Sequence, residues 1–360
     1  LVGGFLILTF YSVIAGWAFA YVGKSIQGAF VEQDAAAISQ LFGSFTTDFS
    51  SLLLWTTVVI GLTCAVVAKG VQQGLEKAVR VLMPALYVLL IGLAVYAGFT
   101  GEFSQALRFM FYPDFSKITM SGVLIALGHA FFTLSLASGV MITYGAYMPS
   151  KVSIARTSMW IALADTSVAL IAGMVIYPIV FAQGLDAGQG PGLIFVTLPI
   201  AFGAMPGGVV VGTLFFIMLV FAAFTSTIAM IESVVAWLIE SKGMRRLQAC
   251  LLSGAVLWLM SLLTIASFAG SSWAQVQFNF LGKDVNNLFE ILDHLTSDIM
   301  LPLGGLTIAI FAGWIMRQQA TAEELNTSPL TYTIWRFSIR WFTPIAILLV
   351  FLNLTGILSL

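Results

Sequence analysis

The sequence predicts an all-α, polytopic membrane protein, and two observations lead to this fold class. Hydrophobic residues make up 59% of the 360 residues and charged residues only 9%, whereas soluble domains carry about 25% charged residues. The apolar residues also gather in runs of about 18 or more, the length at which a helix crosses the hydrocarbon of a bilayer. A water-soluble fold is therefore excluded, because it would have no polar surface.

Nine apolar runs follow one another along the chain as a single integral-membrane domain. We place them at residues 3–23, 51–69, 83–99, 120–147, 154–183, 209–239, 247–268, 286–316 and 334–358. Two of the loops between these runs contain segments that predict further structure. Residues 24–50 include an amphipathic stretch that could form an interfacial helix. Residues 184–208 include LIFVTLPIAF, which is too short to span and predicts a re-entrant cap.

The distribution of positive charge predicts the orientation of the chain. If the first run starts on the cytoplasmic side, eleven of the fifteen lysines and arginines lie in inner loops, as the positive-inside rule requires. The outer loops then hold Lys24, Arg108, Lys117 and Lys283. We therefore expect a multi-pass protein of the inner (plasma) membrane, with Leu1 on the cytoplasmic side and Leu360 on the outer side.

The fourth run, residues 120–147, predicts an interrupted helix. Twenty-eight residues of continuous helix would reach about 42 Å, which exceeds the roughly 30 Å thickness of the hydrocarbon. Four glycines punctuate the run, and a break at 135–139 would relieve the excess. Interrupted helices expose backbone carbonyls at the depth where transporters bind ions and substrates.

Two carboxylates lie inside apolar runs, where a charge costs about 2.5 to 3.5 kcal/mol even on lenient insertion scales. Asp165 predicts an ion site, with a carboxylate satisfied by neighbouring hydroxyls as the alternative. For Glu232 we expect a structural or gating hydrogen bond. Hydroxyl clusters at Thr133 and Ser135, and at Thr225 and Ser226, could supply oxygen ligands, although such residues more often bond to a carbonyl of their own helix.

Several motifs in the sequence resemble those of a known family. They are Tyr11–Trp17, Gly61–Leu75, Gly128–Ser135, Asp165–Pro178 and Phe224–Ile228. Together they resemble the bacterial branch of the neurotransmitter:sodium symporter family, which has the inverted-repeat fold of the bacterial leucine transporter. The resemblance starts at that family's third transmembrane helix, so the nine runs would correspond to helices three to eleven.

The resemblance also implies a division of the chain. Residues 1–119 would be the remainder of the first repeat, 120–316 the second repeat and 317–360 the final helix. The family's first two helices have no counterpart here. We therefore expect a longer parent protein, with an inactive truncated remnant as the alternative.

The function implied by the resemblance is sodium-coupled import of a hydrophobic or aromatic amino acid by alternating access, without an organic cofactor. Two sodium ions are implied. Thr133 and Asp165 would be ligands of the first ion, and Ala222 (through its carbonyl), Thr225 and Ser226 ligands of the second. The substrate site would be formed by Ile7, Tyr11, Phe132, Thr133, Ser135, Ser138, Thr225, Ser226 and Met230. Tyr11 would donate to the substrate carboxylate, and Phe132 would be the lid.

The resemblance further implies gates and a counter-ion. Asp293 would be the outer-gate carboxylate, and Glu240 and Tyr147 would belong to the inner gate. Because Asp165 puts a fixed negative charge beside the first sodium, we expect chloride independence. His129, one turn from Thr133, could carry a proton on the return stroke or remain a neutral hydrogen-bonded side chain.

The substrate is expected to be bulky, because Ser138 takes a position that is aromatic in the leucine transporter. An ion channel is the alternative of another class, but it would need a polar stripe along a pore, and the polar residues here cluster at one depth. With two histidines and two cysteines, nothing in the sequence supports a membrane enzyme, a metal centre or a nucleic-acid partner. The expected partners are the amino acid and the lipid bilayer.

Overall fold

The computed structural model describes residues 1–149, 151–188 and 190–358. Leu360, predicted on the outer side, lies outside the described residues. Within them, eight continuous helices are long and apolar enough to cross a membrane. They are α1 (Val2–Ile26), α3 (Phe49–Ala68), α4 (Val71–Thr100), α8 (Ile154–Ala182), α10 (Gly208–Lys242), α11 (Arg246–Phe268), α12 (Leu288–Ile315) and α14 (Pro329–Leu354).

Shorter helices complete the fold. They are α2 (Ala35–Thr47), α5 (Phe103–Phe111), α6 (Met120–Thr133), α7 (Val140–Tyr147), α9 (Gly190–Ala204) and α13 (Gln318–Leu325). The predicted fourth span is the pair α6 and α7, so the expected interruption is present. The other eight predicted spans are each a continuous helix. The prediction of a multi-pass α-helical protein is therefore confirmed.

Helix α4 begins twelve residues before the predicted boundary at 83. Its first turns carry Glu76, Lys77 and Arg80, which interrupt the apolar pattern although the backbone remains helical. Gly70, with φ of 92°, precedes the helix, and residues Val71–Glu76 form a wide π-type turn. Polar residues at a helix end extend beyond the hydrocarbon, so apolarity alone underestimates the length of such a helix.

The two loops singled out in the sequence, residues 24–50 and 184–208, each contain a helix. Asp34 caps α2, since its Oδ1 accepts a hydrogen bond from the Ala37 amide at 2.7 Å, the usual role of an aspartate at this position. Helix α9 contains the short apolar segment and buries Leu193, Phe195, Leu198 and Phe202 against α10 and α2. The depth of α9 in a bilayer stays a prediction.

Among the residues that the structure describes, one β-hairpin is the exception to the all-α expectation. Strands β1 (Gln275–Phe280) and β2 (Lys283–Asn287) pair antiparallel, with Phe278 opposite Val285 and Phe280 opposite Lys283. The hairpin connects α11 to α12 and lies directly before the first turn of α12. It packs against the first turns of α12.

The core is centred on α1, which packs against α3, α10 and α11. Tyr21 of α1 is fully buried, and its ring lies 5.0 Å from that of Phe195 and 5.2 Å from that of Phe216. Aromatic pairs at such centroid distances add to the free energy of burial. Gly16 allows close approach of α3, because a Cβ there would lie 3.1 Å from the Trp55 carbonyl carbon.

Substitutions at two phenylalanines, Phe216 and Phe99, test this core. Phe216 is fully buried, whereas the Phe99 side chain is 87% exposed. We expect Phe216→Ala to lower the free energy of unfolding by about 3 kcal/mol or more, because it leaves a cavity in a packed aromatic cluster. Thermal unfolding in detergent measures the loss. Phe99→Ala should change the midpoint little, and equal losses in the two variants would contradict the assignment of the core.

Candidate functional site

The interruption between α6 and α7 is held by unusual backbone geometry. Ser135 and Ala137 have φ of 53° and 63°, and Gly139 has φ of 96°. Positive φ is uncommon for residues with a Cβ and clusters at functional sites. The Ser138 hydroxyl donates to the Ser135 carbonyl at 2.8 Å and accepts from the Val140 amide at 3.3 Å. Ser138 thus replaces hydrogen bonds that a continuous helix would make.

Helix α1 approaches this interruption closely. A Cβ added at Gly4 would lie 2.3 Å from the Ser138 carbonyl oxygen, which is a severe overlap. Only glycine allows the two backbones to meet at this distance. The interruption is therefore held in place by contact with the central helix of the core.

Thr133 and Asp165 meet at the end of α6. The Thr133 hydroxyl donates to Asp165 Oδ1 at 2.9 Å, so the structure brings together the two residues predicted for the first sodium site. Asp165 is half-buried in the middle of α8. A carboxylate and a hydroxyl are oxygen ligands of the kind that hard cations prefer. Their role as ligands stays a prediction.

The predicted second set of ligands lies on α10. The Ala222 carbonyl accepts hydrogen bonds from Thr225 Oγ1 at 2.9 Å and from Ser226 Oγ at 3.2 Å. Residues three and four apart share one face of a helix, so these oxygens converge by helix geometry alone. Bonds to the carbonyls of the same helix are also the common behaviour of such residues, and the hydrogen bonds by themselves fit both interpretations.

Both sets open onto one cavity of about 590 Å³. Six predicted site residues line it: Thr133, Ser135, Asp165, Thr225, Ser226 and Met230. The cavity also has a wall that the sequence analysis missed, formed by Leu75, Glu76, Val79, Arg80 and Met83 of α4. The four-residue spacing of Glu76 and Arg80, which pair at 2.5 Å, was the available signal for a helix there.

The other residues predicted for the substrate site do not line this cavity. Ile7 is buried in a cluster against which Tyr11 and Met230 pack, and the Tyr11 phenol lies beside the Ser226 hydroxyl. Phe132 lines a second, apolar cavity of about 250 Å³ between α6, α12 and α14. Its role as a lid, like that of Ser138 in setting pocket size, stays a prediction.

Glu232, the second carboxylate inside an apolar run, lies in a buried network that includes Tyr147 of the predicted inner gate. Glu232 is 0% exposed and forms an ion pair with Arg246. Glu232 Oε1 also accepts a hydrogen bond from the Tyr147 hydroxyl at 3.0 Å. Arg246 in turn donates from Nε to the Val67 carbonyl at 2.9 Å. This network joins the end of α7 to α10, α11 and α3, and Arg246 is a member that the sequence analysis missed.

Three other predicted residues lie apart from the cavity. Asp293, in the first turns of α12, accepts a hydrogen bond from the Ser297 hydroxyl at 3.1 Å. Glu240 is exposed near the end of α10, and His129 is exposed on α6. The gating roles of Asp293, Glu240 and Tyr147 and the proton role of His129 stay predictions.

Comparison with known proteins gives consistent matches. The model of the "Sodium:neurotransmitter symporter family" matches residues 29–358. The uncharacterized sodium-dependent transporter YhdH of Bacillus subtilis is 35% identical over 360 residues, which cover 99% of this chain and 78% of YhdH. An uncharacterized sodium-dependent transporter of Haemophilus influenzae is 29% identical over 360 residues, covering 98% of this chain and 77% of that protein.

A solved structure matches as well. The crystal structure of MhsT in complex with L-phenylalanine superposes with a TM-score of 0.87 at 37% sequence identity, and the match covers 98% of this chain and 79% of MhsT. This likeness confirms the predicted leucine-transporter-type fold.

Arg246 and its neighbour Arg245 test the buried network. Removing one partner of a buried ion pair leaves an uncompensated charge, so we expect Arg246→Met to lower stability by about 3 kcal/mol. Arg245 is exposed, and Arg245→Met should have little effect. Combining Arg246→Met with Glu232→Gln should recover part of the loss, because the orphaned charge is then gone. Unfolding midpoints in detergent measure all three, and equal effects at the two arginines would contradict the network.

Proposed function

Since this chain belongs to the sodium:neurotransmitter symporter family, we propose that it imports a hydrophobic or aromatic amino acid together with two sodium ions by alternating access. That it is a sodium-dependent transporter, and not an enzyme, follows from the family and its relatives. The main observation in support of the proposed import mechanism is that Thr133 and Asp165 meet at a cavity that Thr225 and Ser226 also line.

The first sodium ion binds Asp165 and Thr133. A carboxylate in the middle of a membrane helix is costly, and a bound cation offsets that cost by neutralising it. The hydrogen bond from Thr133 orients the carboxylate toward the interruption of α6. The fixed negative charge of Asp165 does at this position what a chloride ion would otherwise do, so transport proceeds without chloride.

The second sodium ion binds the oxygens of Ala222, Thr225 and Ser226. These ligands are neutral, so they offer coordination without adding a charge that must be desolvated. Turning the two hydroxyls from the helix carbonyls toward an ion is a rotamer change, which takes place on a fast timescale. The site can therefore exist without an ion and still be assembled quickly when one arrives.

The substrate is a hydrophobic or aromatic amino acid. Support comes from MhsT, which is 37% identical and was solved with L-phenylalanine, and from Ser138 at a position that the leucine transporter fills with an aromatic ring. Met230 supplies an adaptable apolar wall, and Tyr11, which packs against the same cluster as Met230, donates to the substrate carboxylate. Phe132 would have to turn from the apolar cavity to close over the substrate.

The protein resides in the inner (plasma) membrane with Leu1 on the cytoplasmic side. The division of eleven positive charges inside and four outside supports this orientation. With it, Glu240 and Tyr147, the proposed inner gate, lie toward the cytoplasm, and Asp293, the proposed outer gate, lies toward the outside. The two gates then stand on opposite sides of the cavity, as alternating access requires.

Changes at the first sodium site test the coupling. We expect Asp165→Asn and Thr133→Ala to raise the sodium concentration for half-maximal uptake by about tenfold or more, because each removes an oxygen ligand or its charge. Radiolabelled L-phenylalanine uptake into proteoliposomes across a sodium series measures this. Wild-type uptake should be unchanged when gluconate replaces chloride.

Thr166→Ala is the matched control for these variants. Its hydroxyl donates to the Ala162 carbonyl of its own helix at 2.9 Å, next to Asp165 in the chain but outside the cavity lining. It should keep the wild-type sodium dependence. A wild-type sodium response in Asp165→Asn, or a chloride requirement in the wild type, would contradict the proposed site.

Competition experiments test the substrate class. Tryptophan, tyrosine and leucine should displace labelled phenylalanine better than glycine and alanine do, by about tenfold or more, since each buried methylene contributes about 1 to 3 kcal/mol to discrimination. Inhibition constants from uptake in the presence of each amino acid measure the order. Stronger displacement by glycine and alanine would rule out a roomy apolar pocket.

A further inference from the structure

The junction between α3 and α4 brings two helix ends together, backbone against backbone. Gly70, between the two helices, has φ of 92°, a conformation that residues with a Cβ rarely adopt. A Cβ at Gly74 would lie 2.0 Å from the Val66 carbonyl oxygen, so the first turns of α4 lie directly on the last turn of α3. Side chains at this junction are therefore presented from a closely packed support.

A cavity of about 1090 Å³ lies at this junction. Six of the residues that line it are polar or charged and are exposed to the surroundings of the protein. They are Lys69, Gln72, Gln73, Glu76, Lys77 and Arg80. The cavity is thus open, and its polar side chains are accessible to a ligand from outside.

Positive charge outweighs negative charge in this lining. Three cations stand against the single carboxylate of Glu76, and that carboxylate is already paired with Arg80. Among the residues that the structure describes, neither Lys69 nor Lys77 has an ion-pair partner. An ammonium group has three donors, and the glutamine amides add neutral ones. The cavity therefore favours an anion with several acceptor oxygens, such as a phosphate group.

An apolar surface adjoins the charged side of the cavity. Val81 and Leu82 line the cavity, and Val81 is exposed. Val88, Ile91 and Val95 are exposed as well, and their spacings of seven, three and four residues place them on the same face of α4 as Val81. This face extends for about 21 Å along a membrane-spanning helix, so a phosphate group in the cavity would adjoin a track for a hydrocarbon chain.

We propose that this cavity binds the headgroup of an anionic glycerophospholipid, with Lys69 and Lys77 at the phosphate and an acyl chain along the exposed face of α4. Basic pockets between membrane helices on the cytoplasmic side are suited to such headgroups. A free phosphate ion offers the same oxygens but no hydrocarbon, so the apolar track favours the lipid. Only the choice of leaflet, the inner one, rests on the proposed orientation of the chain.

Lipid titrations of the purified protein in a neutral detergent, followed by native mass spectrometry, test the site. Phosphatidylglycerol should bind about tenfold or more tightly than phosphatidylcholine with the same chains. The double variant Lys69→Gln/Lys77→Gln should bind phosphatidylglycerol about thirtyfold more weakly than the wild type, because each lysine near an anionic headgroup contributes about a factor of five. Its binding of phosphatidylcholine should change little.

Two further variants show whether the position of the charge matters. Lys242 is an exposed lysine in the last turn of α10 and lies outside the cavity lining, so Lys242→Gln should bind phosphatidylglycerol as the wild type does. Glu76→Gln removes the one carboxylate from the lining and should tighten binding about fivefold. This opposite change also tests the site if the double lysine variant does not fold.

Inorganic phosphate in excess separates the lipid from the free ion, and it should leave most of the phosphatidylglycerol bound. Displacement of the lipid by inorganic phosphate would overturn the proposal. Equal affinity for the two lipids, or equal losses in Lys242→Gln and the double lysine variant, would overturn it as well. Failure of sodium-coupled uptake would leave these titrations unchanged, because binding in detergent requires no transport.

Discussion

The structure depends on how a polar backbone is accommodated where water is absent. Within hydrocarbon each unsatisfied amide or carbonyl costs several kcal/mol, so spanning segments are continuous helices unless protein groups replace the missing bonds. At residues 134–139 the helix is interrupted, and other protein groups supply the missing hydrogen bonds. Ser138 supplies a hydroxyl to both sides of the interruption, and Gly4 brings α1 against the freed segment. The cavity lined by the candidate ion ligands can form because the protein compensates for this interruption of the helix.

Three acidic side chains inside the bundle show three ways of compensating a charge. Glu232 has a guanidinium, which keeps its charge at any physiological pH, so its network is permanent. Asp298 has the imidazole of His294 at 2.8 Å and the ammonium group of Lys283 at 3.4 Å. Asp165 has the hydroxyl of Thr133, which carries no charge, while Arg80, which lines the same cavity, is paired with Glu76. The compensation of Asp165 by a neutral group therefore leaves its charge free for the sodium ion proposed there.

The sequence was sufficient wherever a single physical rule decides the outcome. Apolar length defined the spans, excess length and glycines located the interruption, and the cost of a membrane carboxylate singled out Asp165. It was insufficient where a feature depends on contacts between distant segments. Arg246 is a neighbour of Glu232 only after α10 and α11 pack, and the hairpin that buries His294 pairs strands too short and polar to stand out. The direction of the Phe132 ring likewise follows from the packing of α12 and α14.

The two sets of candidate ligands differ in what their assembly requires. Ala222, Thr225 and Ser226 belong to one helix, so their separation is fixed by helix geometry whatever the rest of the protein does. Thr133 and Asp165 belong to different helices, and they meet only when the end of α6 lies against α8. An ion that needs both oxygens binds better to conformations with that contact, and a ligand shifts a conformational equilibrium only by its difference in affinity between the states. Of the two sites, the first is therefore the one at which ion binding can bias the position of α6, and with it the access to the cavity.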